Sequence, residues 1–340
     1  MDATEILQAL KRRAWDEGSL VAALAFKQAA QGELFRLARE QRSLYFPGGE
    51  VEVRGVLEIS NSCRRRCNFC GMNRHSPISR YLIGHDEALG IAGQVYAKGA
   101  RNLLIQSGED DSPRFTNHVC RCIASIKSRF ADMSVILCLG GLPRSRYQQL
   151  KEAGARRYIL KFETSNPALY EKLKPGDRLE DRVARIHDLI DLGFEVGSGN
   201  IVGLPGQTAP DLARDLLFLS RFKLGMGSAT VFIPGRDCRY RDRPPGDVDM
   251  TLNYMALMRI MYPRLLIPTT SSLEHLRKEG QYLGLLAGAN TVTMHDAGPG
   301  RMKKMFPIYA ADRFLPDEAH LRAIVRRAGL GFPSRRGQRL

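Results

Sequence analysis

The decisive stretch of this chain is residues 57–73, which read Leu-Glu-Ile-Ser-Asn-Ser-Cys-Arg-Arg-Arg-Cys-Asn-Phe-Cys-Gly-Met-Asn. The apolar run at 51–59 predicts a buried strand that ends in a polar corner. Three cysteines follow at once, Cys63, Cys67 and Cys70, in C-x3-C-x2-C spacing. Thiolates that converge in so short a loop hold an iron–sulfur cluster or zinc. Three cysteines leave one iron of a cubane [4Fe–4S] cluster open to another ligand, which indicates a catalytic cluster.

Three other uses of these cysteines fit the sequence less well. A disulfide would leave an odd thiol in a chain whose start shows no secretory signal. A structural zinc site needs a fourth ligand, and His75 follows Cys70 by five residues without the usual paired spacing. Structural cysteines belong to apolar cores, whereas these surround the arginines at 64–66. The pattern therefore favours a cluster.

The composition indicates a globular chain with a basic surface. The 340 residues are 44% hydrophobic, and no apolar run approaches the ~20 residues that span a bilayer. The start lacks the features of a signal peptide, so we expect a cytoplasmic protein without membrane contact. The net charge of +15 comes from arginines spread along the chain without an RNA-binding motif, which argues against specific nucleic-acid binding. A solvated basic surface is the simplest interpretation, and an acidic partner protein is the alternative.

A strand-then-helix rhythm predicts the fold. The apolar runs predicted as strands are 51–59, 102–107, 133–139, 157–162, 194–202, 228–233, 264–268 and 291–294. The gaps between them are long enough for crossover helices, which makes neighbouring strands parallel. Eight such units predict an α/β fold, a (β/α)8 TIM-type barrel over residues 51–300. An open doubly wound sheet is the alternative, but no Gly-x-Gly-x-x-Gly turn follows the first strand.

Helical segments flank the predicted barrel. Residues 1–50 repeat apolar positions at three- and four-residue steps, which predicts a helical extension that packs on the barrel as a lid or plug. Gly18 and Gly32 suggest breaks between its helices. The tail, residues 301–340, contains one predicted helix near 317–328 and a basic end. One domain with helical flanks is the expected organisation.

Polar and glycine-rich residues follow two of the predicted strands, at the ends that carry the site of a TIM-type barrel. The second strand is followed by Ser107, Gly108 and Glu109. Exposed backbone beside carboxylates suits the binding of an ammonium group, although an ordinary turn would have the same sequence. Glu163 follows the fourth strand and is a candidate for ribose hydroxyls or an amino group. The residues after Glu163 also fit a helix cap.

The glycine-rich stretch at the end of the fifth strand suits a flat ligand such as adenine, because glycine lets a ligand approach the backbone. The candidates there are Gly199, Asn200, Val202 and Gly203. Arg182, on the preceding predicted helix, suits a carboxylate, although the residue pattern alone favours a surface arginine.

Further polar side chains near the strand ends are candidates for substrate contacts. They are Cys138, Lys161, Arg236, Cys238, Thr269, Thr270 and His295, with Asp296 beside the last. Hydroxyls and cations at a barrel mouth suit a small substrate that bears a carboxylate.

The cysteine spacing, with Phe69 before the third cysteine, resembles the signature of the radical S-adenosylmethionine (SAM) superfamily. The resemblance continues at 106–110, 163–167 and 202–208 and extends over most of the chain. It is to the group that contains biotin synthase, methylornithine synthase and the [FeFe]-hydrogenase maturation enzymes of the HydE type, and it is strongest to the HydE type. Departures at 161–162, in the stretch before 230 and after 234 fall where substrate would bind, so substrate identity stays open.

The resemblance implies cofactors and roles. In that superfamily the amino and carboxylate groups of SAM chelate the open iron, and reductive cleavage gives a 5′-deoxyadenosyl radical that abstracts hydrogen. The three cysteines would then hold a [4Fe–4S] cluster, Phe69 and the strand-end residues would contact SAM, and Gly108 with Glu109 would meet its amino group. A reducing partner such as ferredoxin or flavodoxin is implied. The HydE type implies a role in metallocofactor maturation.

Three alternatives remain at this point. They are a sulfur-inserting enzyme of the biotin or lipoyl synthase type acting on an acidic carrier protein, a mutase like methylornithine synthase, and a non-catalytic iron–sulfur scaffold. Sulfur insertion calls for an auxiliary cluster, but Cys120 and Cys122 fall on a predicted outer helix, which leaves only Cys138 and Cys238 as ligands. We therefore expect no auxiliary cluster. A scaffold would have no SAM pocket.

Overall fold

The computed structural model describes residues 2–295, 297–298, 305–309 and 312–333. The candidate Asp296 and the basic end beyond residue 333 lie outside the described residues.

Seven parallel strands form one sheet in the order β6-β5-β4-β3-β2-β1-β7. Their bounds are β1 Glu52–Ser60, β2 Asn102–Ser107, β3 Ser134–Cys138, β4 Arg157–Ile159, β5 Glu195–Val202, β6 Met226–Val231 and β7 Thr291–Met294. From β1 to β6 each strand pairs with the next one along the chain, which is the order of a TIM-type barrel and not of a doubly wound sheet. The predicted α/β barrel class is confirmed.

The predicted strand at 264–268 lies between the two edge strands of this sheet. Leu266 forms a parallel bridge with Met226 of β6, and Pro268 forms one with Thr291 of β7. Pro268 has no N–H to donate, so this segment cannot build a regular ladder. The eighth strand is therefore reduced to two single bridges, which still join the edges of the curled sheet.

Helices surround the sheet on its outer face and cross between successive strands. In the described residues they are α1 Ala3–Lys11, α2 Glu17–Leu24, α3 Gln28–Tyr45, α4 His85–Ala97, α5 Pro113–Arg129, α6 Arg144–Glu152, α7 Pro167–Leu173, α8 Leu179–Asp191, α9 Ala209–Phe218, α10 Val248–Met261, α11 Ser271–Leu276, α12 Gly280–Leu286 and α13 Glu318–Arg327. In this set no helix is long and apolar enough to cross a membrane.

The first two N-terminal helices begin at capping boxes, and the predicted breaks at glycines are wrong. Asp16 and Ser19 form a capping box: the Ser19 N–H donates to Asp16 Oδ1 at 2.7 Å and the Asp16 N–H donates to Ser19 Oγ at 2.9 Å. This box starts α2, so Gly18 lies inside α2, and Gly32 lies inside α3. Asn253 of α10 donates to the carbonyls of Leu24 and Phe26. The extension is thereby fixed against the outer helices.

The two faces of the sheet have different surroundings. Outward side chains such as Leu57, Ile59 and Ile105 are buried in the main core under the helices. Inside the barrel, Val56, Leu104 and Ile136 form a separate small apolar cluster. Nearer the carboxyl ends of the strands, polar and charged side chains join apolar ones such as Leu104 and Phe232 in lining a cavity. The fold thus places a chamber with a mixed apolar and charged wall at the carboxyl ends of the strands.

Candidate active site around the cysteine loop

The three cysteines lie on the loop between β1 and α4 and line one cavity of about 360 Å³ at the carboxyl ends of the strands. Two backbone groups donate to their sulfurs: the Glu109 N–H to Cys63 Sγ and the Met72 N–H to Cys70 Sγ, each at 3.4 Å. Hydrogen bonds of this kind tune the thiolate ligands of iron–sulfur clusters. The loop is therefore prepared to hold charged sulfur.

Backbone hydrogen bonds from several elements fix this loop. The Arg64 N–H donates to Glu109 O after β2 at 2.9 Å, and the Asn68 N–H donates to Leu173 O at the end of α7 at 2.8 Å. The Gly235 N–H, from the loop after β6, donates to Phe69 O at 3.2 Å. The three sulfurs are thus positioned by tertiary contacts as well as by their spacing.

The donor set fits a cubane cluster better than a single metal ion. Among the described residues, no three His, Cys, Asp or Glu side chains are grouped so as to hold one metal ion. A zinc site would need such a tight tetrahedral group, whereas each cysteine of a [4Fe–4S] cluster binds a different iron. Burial raises the pKa of Cys67 to about 11 and also raises the pKa of Cys70. Without iron these two thiols are therefore protonated, and iron would bind them as thiolates.

Glu109 is the centre of a buried ionic network beside the cysteines. Its carboxylate pairs with Arg65 and, 3.7 Å from Oε2, with Nη2 of Arg182. The Gly141 N–H donates to Oε2 at 2.7 Å. Burial alone would raise the pKa of Glu109, but Arg182 and Lys174 outweigh it and hold that pKa below its usual range. Glu109 is therefore ionised although it is only 5% exposed.

A second carboxylate, Asp177, holds the cations Arg182 and Lys174 in place. Asp177 lies 3.2 Å from Arg182 Nη2 and 3.5 Å from Lys174 Nζ. Tyr170 accepts a hydrogen bond from Arg182 Nε at 3.0 Å and donates to Asp177 at 3.0 Å. Arg182 is only 3% exposed, so it is not the surface arginine that the residue pattern alone favoured. The wall of the cavity beside the cysteines thus carries both signs of charge.

Glu163 projects into the same cavity from the turn after β4. Its backbone is left-handed, with φ of +68°, which is costly for a residue with a side chain. Its Oε2 is buried without a hydrogen-bond partner in the described residues, and Lys161 Nζ lies 3.4 Å away. A strained backbone and a buried carboxylate oxygen without a hydrogen bond are both expected where a ligand completes a site.

Comparison with known proteins agrees with this geometry. The family model of the Radical SAM superfamily matches residues 57–219, which contain the end of β1, the cysteine loop and the strands β2 to β5. The [FeFe]-hydrogenase maturase subunit HydE of Thermotoga maritima is 37% identical over 311 residues, which cover 91% of this chain and 88% of that protein.

This chain belongs to the radical SAM superfamily. Members of the superfamily are enzymes that use a [4Fe–4S] cluster and SAM, and this radical SAM enzyme carries the matching cysteines. A biotin synthase of Bradyrhizobium sp. is 25% identical over 83% of this chain and 84% of its own length. The crystal structure of methylornithine synthase (PylB) has a TM-score of 0.83, with 22% identity over 97% of this chain and 98% of that one. The latter likeness shows a shared fold.

The radical SAM fold brings most of the predicted site residues to one cavity. Those that line it are Cys63, Cys67, Phe69, Cys70, Ser107, Gly108, Glu109, Cys138, Lys161, Glu163, Arg182, Thr270 and His295. They come from five strand ends, the cysteine loop and α8, so only the folded chain unites them.

The four predicted fifth-strand residues lie outside the cavity lining. A side chain at Gly199 would lie 1.8 Å from Ser228 O of β6, so this glycine serves strand pairing. Gly203 approaches Gly246 in the same way, at 2.4 Å. Asn200 is buried and donates to Asp215 at 3.0 Å. Neither these three residues nor Val202 lines the cavity.

Three predicted substrate residues also lie apart from the cavity of this radical SAM enzyme. Thr269 is buried and donates to Gln281 O at 2.8 Å. Arg236 is exposed to solvent. Cys238 is buried in the loop after β6, where its thiol donates to Gly235 O at 3.0 Å.

Sequence reasoning missed several residues of the cavity. Lys174 follows α7 in a Lys-Pro-Gly stretch that reads as an ordinary turn, so nothing local marks it. Arg313 reaches the cavity from the C-terminal segment and pairs with Glu58 at 2.5 Å. Glu58 also accepts from Gln106 at 3.1 Å. Inward alternation along β1 and β2 is the signal that would have found Glu58 and Gln106.

Proposed function

We propose that this enzyme cleaves SAM reductively at a cluster held by Cys63, Cys67 and Cys70, and that the radical acts on a small carboxylate-bearing molecule in metallocofactor maturation. One observation carries the proposal: three cysteines of the superfamily's spacing open onto a chamber lined by buried carboxylates and cations. When bound, the reduced cluster supplies the electron that splits SAM into methionine and a 5′-deoxyadenosyl radical.

The charged wall beside the cysteines suits the amino-acid end of SAM. Glu109 is an ionised carboxylate that would accept from an ammonium group, and Lys174 and Arg182 would donate to a carboxylate. All three side chains are at most 6% exposed, so their interactions with a ligand are weakly screened. Preformed ion pairs hold these groups in place before SAM arrives, which reduces the entropy lost on binding.

Glu163 suits the ribose of SAM. Its Oε2, which makes no hydrogen bond within the described residues, would accept hydrogen bonds from sugar hydroxyls, and its strained turn fixes where that oxygen points. The unpaired oxygen is costly without a ligand, so binding relieves a penalty already present in the fold.

The other side of the chamber suits a small anionic substrate. Lys161, Thr270, His295 and Arg313 line it, where Lys161 lies 3.4 Å from Glu163 and Arg313 pairs with Glu58. Donors and cations in this arrangement favour a carboxylate. The name of the Thermotoga relative, a hydrogenase maturase subunit, supports maturation of a metal cofactor as the setting.

The positions of the remaining cysteines favour hydrogen abstraction over sulfur insertion. Cys138 is the one further thiol in the cavity among the described residues. Cys120 and Cys122 lie on α5, and Cys238 opens to a different depression. A second cubane would lack ligands in the chamber. A sulfur-inserting enzyme of the biotin or lipoyl synthase type is therefore the less favoured proposal.

Anaerobic reconstitution tests the proposed function. We expect about four irons per chain with matching sulfide, and 5′-deoxyadenosine by chromatography after dithionite and SAM are added. Cys63→Ala should lose both the cluster and SAM cleavage. Cys120→Ala is the matched control, since Cys120 lies half-buried on an outer helix, and it should change neither.

The outcomes separate the candidate functions. About eight irons per chain would favour sulfur insertion with an auxiliary cluster. A reconstituted cluster that binds SAM but yields no 5′-deoxyadenosine with dithionite, even with cell extract as a source of substrate, would contradict the proposal. Equal losses in Cys63→Ala and Cys120→Ala would overturn the ligand assignment.

A further inference from the structure

A second depression lies on the outer side of the cysteine loop. Its volume is about 380 Å³, and it is formed by the loop after β1 and the loop after β6. Among the residues that the structure describes, Cys67 is the one that lines both this depression and the inner cavity. A single proposed cluster ligand therefore separates the cluster position from the outer surface, and this depression is a short route to it.

Hydrogen bonds between the two loops make this depression a fixed platform. The Tyr240 N–H donates to Asn68 O at 2.9 Å, and Asn73 Nδ2 donates to Asp237 O at 2.8 Å. Gly235 packs so closely on Gly71 that an added Cβ would lie 2.3 Å from the Gly71 nitrogen. The surface is therefore prepared for a partner, and docking would not have to order it.

Arginines dominate the surface around the depression. Residues 64–75 and 236–243 together contain eight arginines and two aspartates. Arg66, Arg239 and Arg241 line the depression and are exposed. Arg241 lies 3.4 Å from Asp242, while Arg66 and Arg239 have no ion pair within the described part of the chain. Unpaired exposed cations at one place create a positive field that attracts acidic proteins.

We propose that this platform docks an acidic one-electron carrier protein that reduces the cluster. The proposal rests on the proposed function, because only a redox-active cluster needs such a partner. In the step, a flavin hydroquinone gives one electron to the oxidised cluster and becomes the semiquinone, and no bond is made or broken. Electron tunnelling falls steeply with distance, so the partner must approach where the cluster is nearest the surface.

Charge and location together favour an electron carrier over a carrier-borne substrate. Electron-transfer encounters are small and transient and depend on electrostatic steering, which suits a basic depression of this size. The depression shares Cys67 with the inner cavity but none of the residues on its substrate side, such as Thr270, His295 and Arg313. A substrate tethered to a protein docked here would lie on the opposite side of the cysteine loop from the proposed substrate chamber.

The test compares two reductants on the reconstituted holoenzyme. Flavodoxin in its hydroquinone form is one, dithionite the other, and cluster reduction is followed by stopped-flow absorbance at low ionic strength. The variant R239E/R241E reverses two charges on the loop after β6 and leaves the loop that carries Cys63, Cys67 and Cys70 unchanged. The control R121E/R326E reverses two exposed arginines on α5 and α13 and has the same net charge. We expect the platform variant to be reduced by flavodoxin about tenfold more slowly and with weaker salt dependence, and the control to keep the wild-type rate.

Dithionite distinguishes failure of this proposal from failure of the proposed function. The platform variant should keep its iron content and its dithionite-driven 5′-deoxyadenosine formation. Equal flavodoxin rates in the platform and control variants would overturn the docking site. The docking site would also be overturned if flavodoxin reduced the variant at the wild-type rate but the variant no longer acted on a substrate carried by an acidic domain. The platform would then bind a carrier protein.

Discussion

Asp215 Oδ1 accepts two hydrogen bonds from Ser165, one from its backbone N–H and one from its hydroxyl, each 2.6 Å long. The other oxygen, Oδ2, accepts from Asn200 Nδ2 of β5 at 3.0 Å. Asp215 is fully buried on α9, and Ser165 follows the strained Glu163 by two residues. One buried carboxylate therefore ties the turn that presents Glu163 to the neighbouring strand and helix.

Replacing Asp215 should disturb both stability and SAM binding. Asp215→Ala leaves the Ser165 N–H and the Asn200 amide without a partner, which should lower the free energy of unfolding by about 3 kcal/mol. The freed turn should also raise the SAM dissociation constant, measured by equilibrium dialysis on the reconstituted protein. Asp191→Ala removes an exposed acid of α8 and should change neither quantity. An unchanged SAM affinity in Asp215→Ala would show that the turn at Glu163 keeps its conformation without Asp215.

The same carboxylate gives a pH dependence. Burial raises the pKa of Asp215 to about 6, although the hydrogen bonds from Ser165 and Asn200 oppose this. The native state therefore binds a proton more readily than the unfolded chain, and this group costs stability as pH rises towards and through 6. Relative to Asp215→Asn, the wild type should lose about 1 kcal/mol of unfolding free energy between pH 5 and 7.5. Urea unfolding of the cluster-free protein followed by circular dichroism measures this, and a difference of opposite sign would contradict the assignment.

Arg182 should be needed for SAM but not for the cluster. Arg182→Ala removes a buried cation that both Glu109 and Asp177 contact and leaves their negative charge only partly compensated by Arg65 and Lys174, which should destabilise the fold by about 3 kcal/mol. We expect the SAM dissociation constant to rise about tenfold or more, while iron content stays at the wild-type value. Arg178→Ala is the matched control, since Arg178 begins the same helix but is 74% exposed. Equal SAM affinity in the two variants would exclude Arg182 from the site.

Glu163 should show a conflict between stability and function. Glu163→Gly relieves the left-handed backbone and removes a buried oxygen that makes no hydrogen bond, which should outweigh the loss of the ion pair with Lys161 and raise the free energy of unfolding by about 1 kcal/mol. It should also weaken SAM binding, because the oxygen proposed for the ribose is gone. Glu163→Gln keeps the strained backbone and loses only the charge, so it should weaken binding without the gain in stability. A less stable Glu163→Gly would mean that the side chain supports the fold.

Local sequence patterns predicted the elements but not their ends. Apolar runs marked the strands because buried β-strands leave few polar positions. The predicted strand at 264–268 contains enough apolar residues, yet Pro268 cannot donate to a ladder, so it forms only bridges. The predicted break at Gly18 was also wrong, because neighbouring residues decide the outcome there. The capping box of Asp16 and Ser19 starts a helix there that tolerates a glycine in its first turn.

The candidate site was predictable where its chemistry is local. The cysteines, Glu109 and Glu163 stand in short recognisable stretches, and the structure brings them to one cavity. Lys174 and Arg313 have no such stretch, because their roles depend on how distant segments pack. The glycine at 199 was misleading for the same reason. Its missing side chain makes room for a neighbouring strand, and a single sequence does not distinguish that from room for a ligand.

Gly108 should be essential because the cysteine loop packs on its bare backbone. A Cβ added there would lie 2.2 Å from Ser62 O and 2.7 Å from Cys63 Cβ, both in the loop that carries the cysteines. Neither atom belongs to a flexible side-chain end, so Gly108→Ala must displace the loop. We expect reconstituted iron content to fall by at least about half and 5′-deoxyadenosine formation to be lost, since a ligand misplaced by about 1 Å no longer binds its metal well.

Gly90→Ala provides the control for this prediction. Gly90 lies exposed inside α4, and an added Cβ would meet nothing within 4 Å. Alanine in an exposed helix interior should stabilise the protein by about 1 kcal/mol and leave iron content unchanged. If Gly108→Ala binds iron as well as Gly90→Ala does, the cysteine loop must adjust freely, and its position would not depend on the close contact between β2 and Cys63. Iron and sulfide assays on the two variants, reconstituted in parallel, decide between a fixed and an adaptable cluster loop.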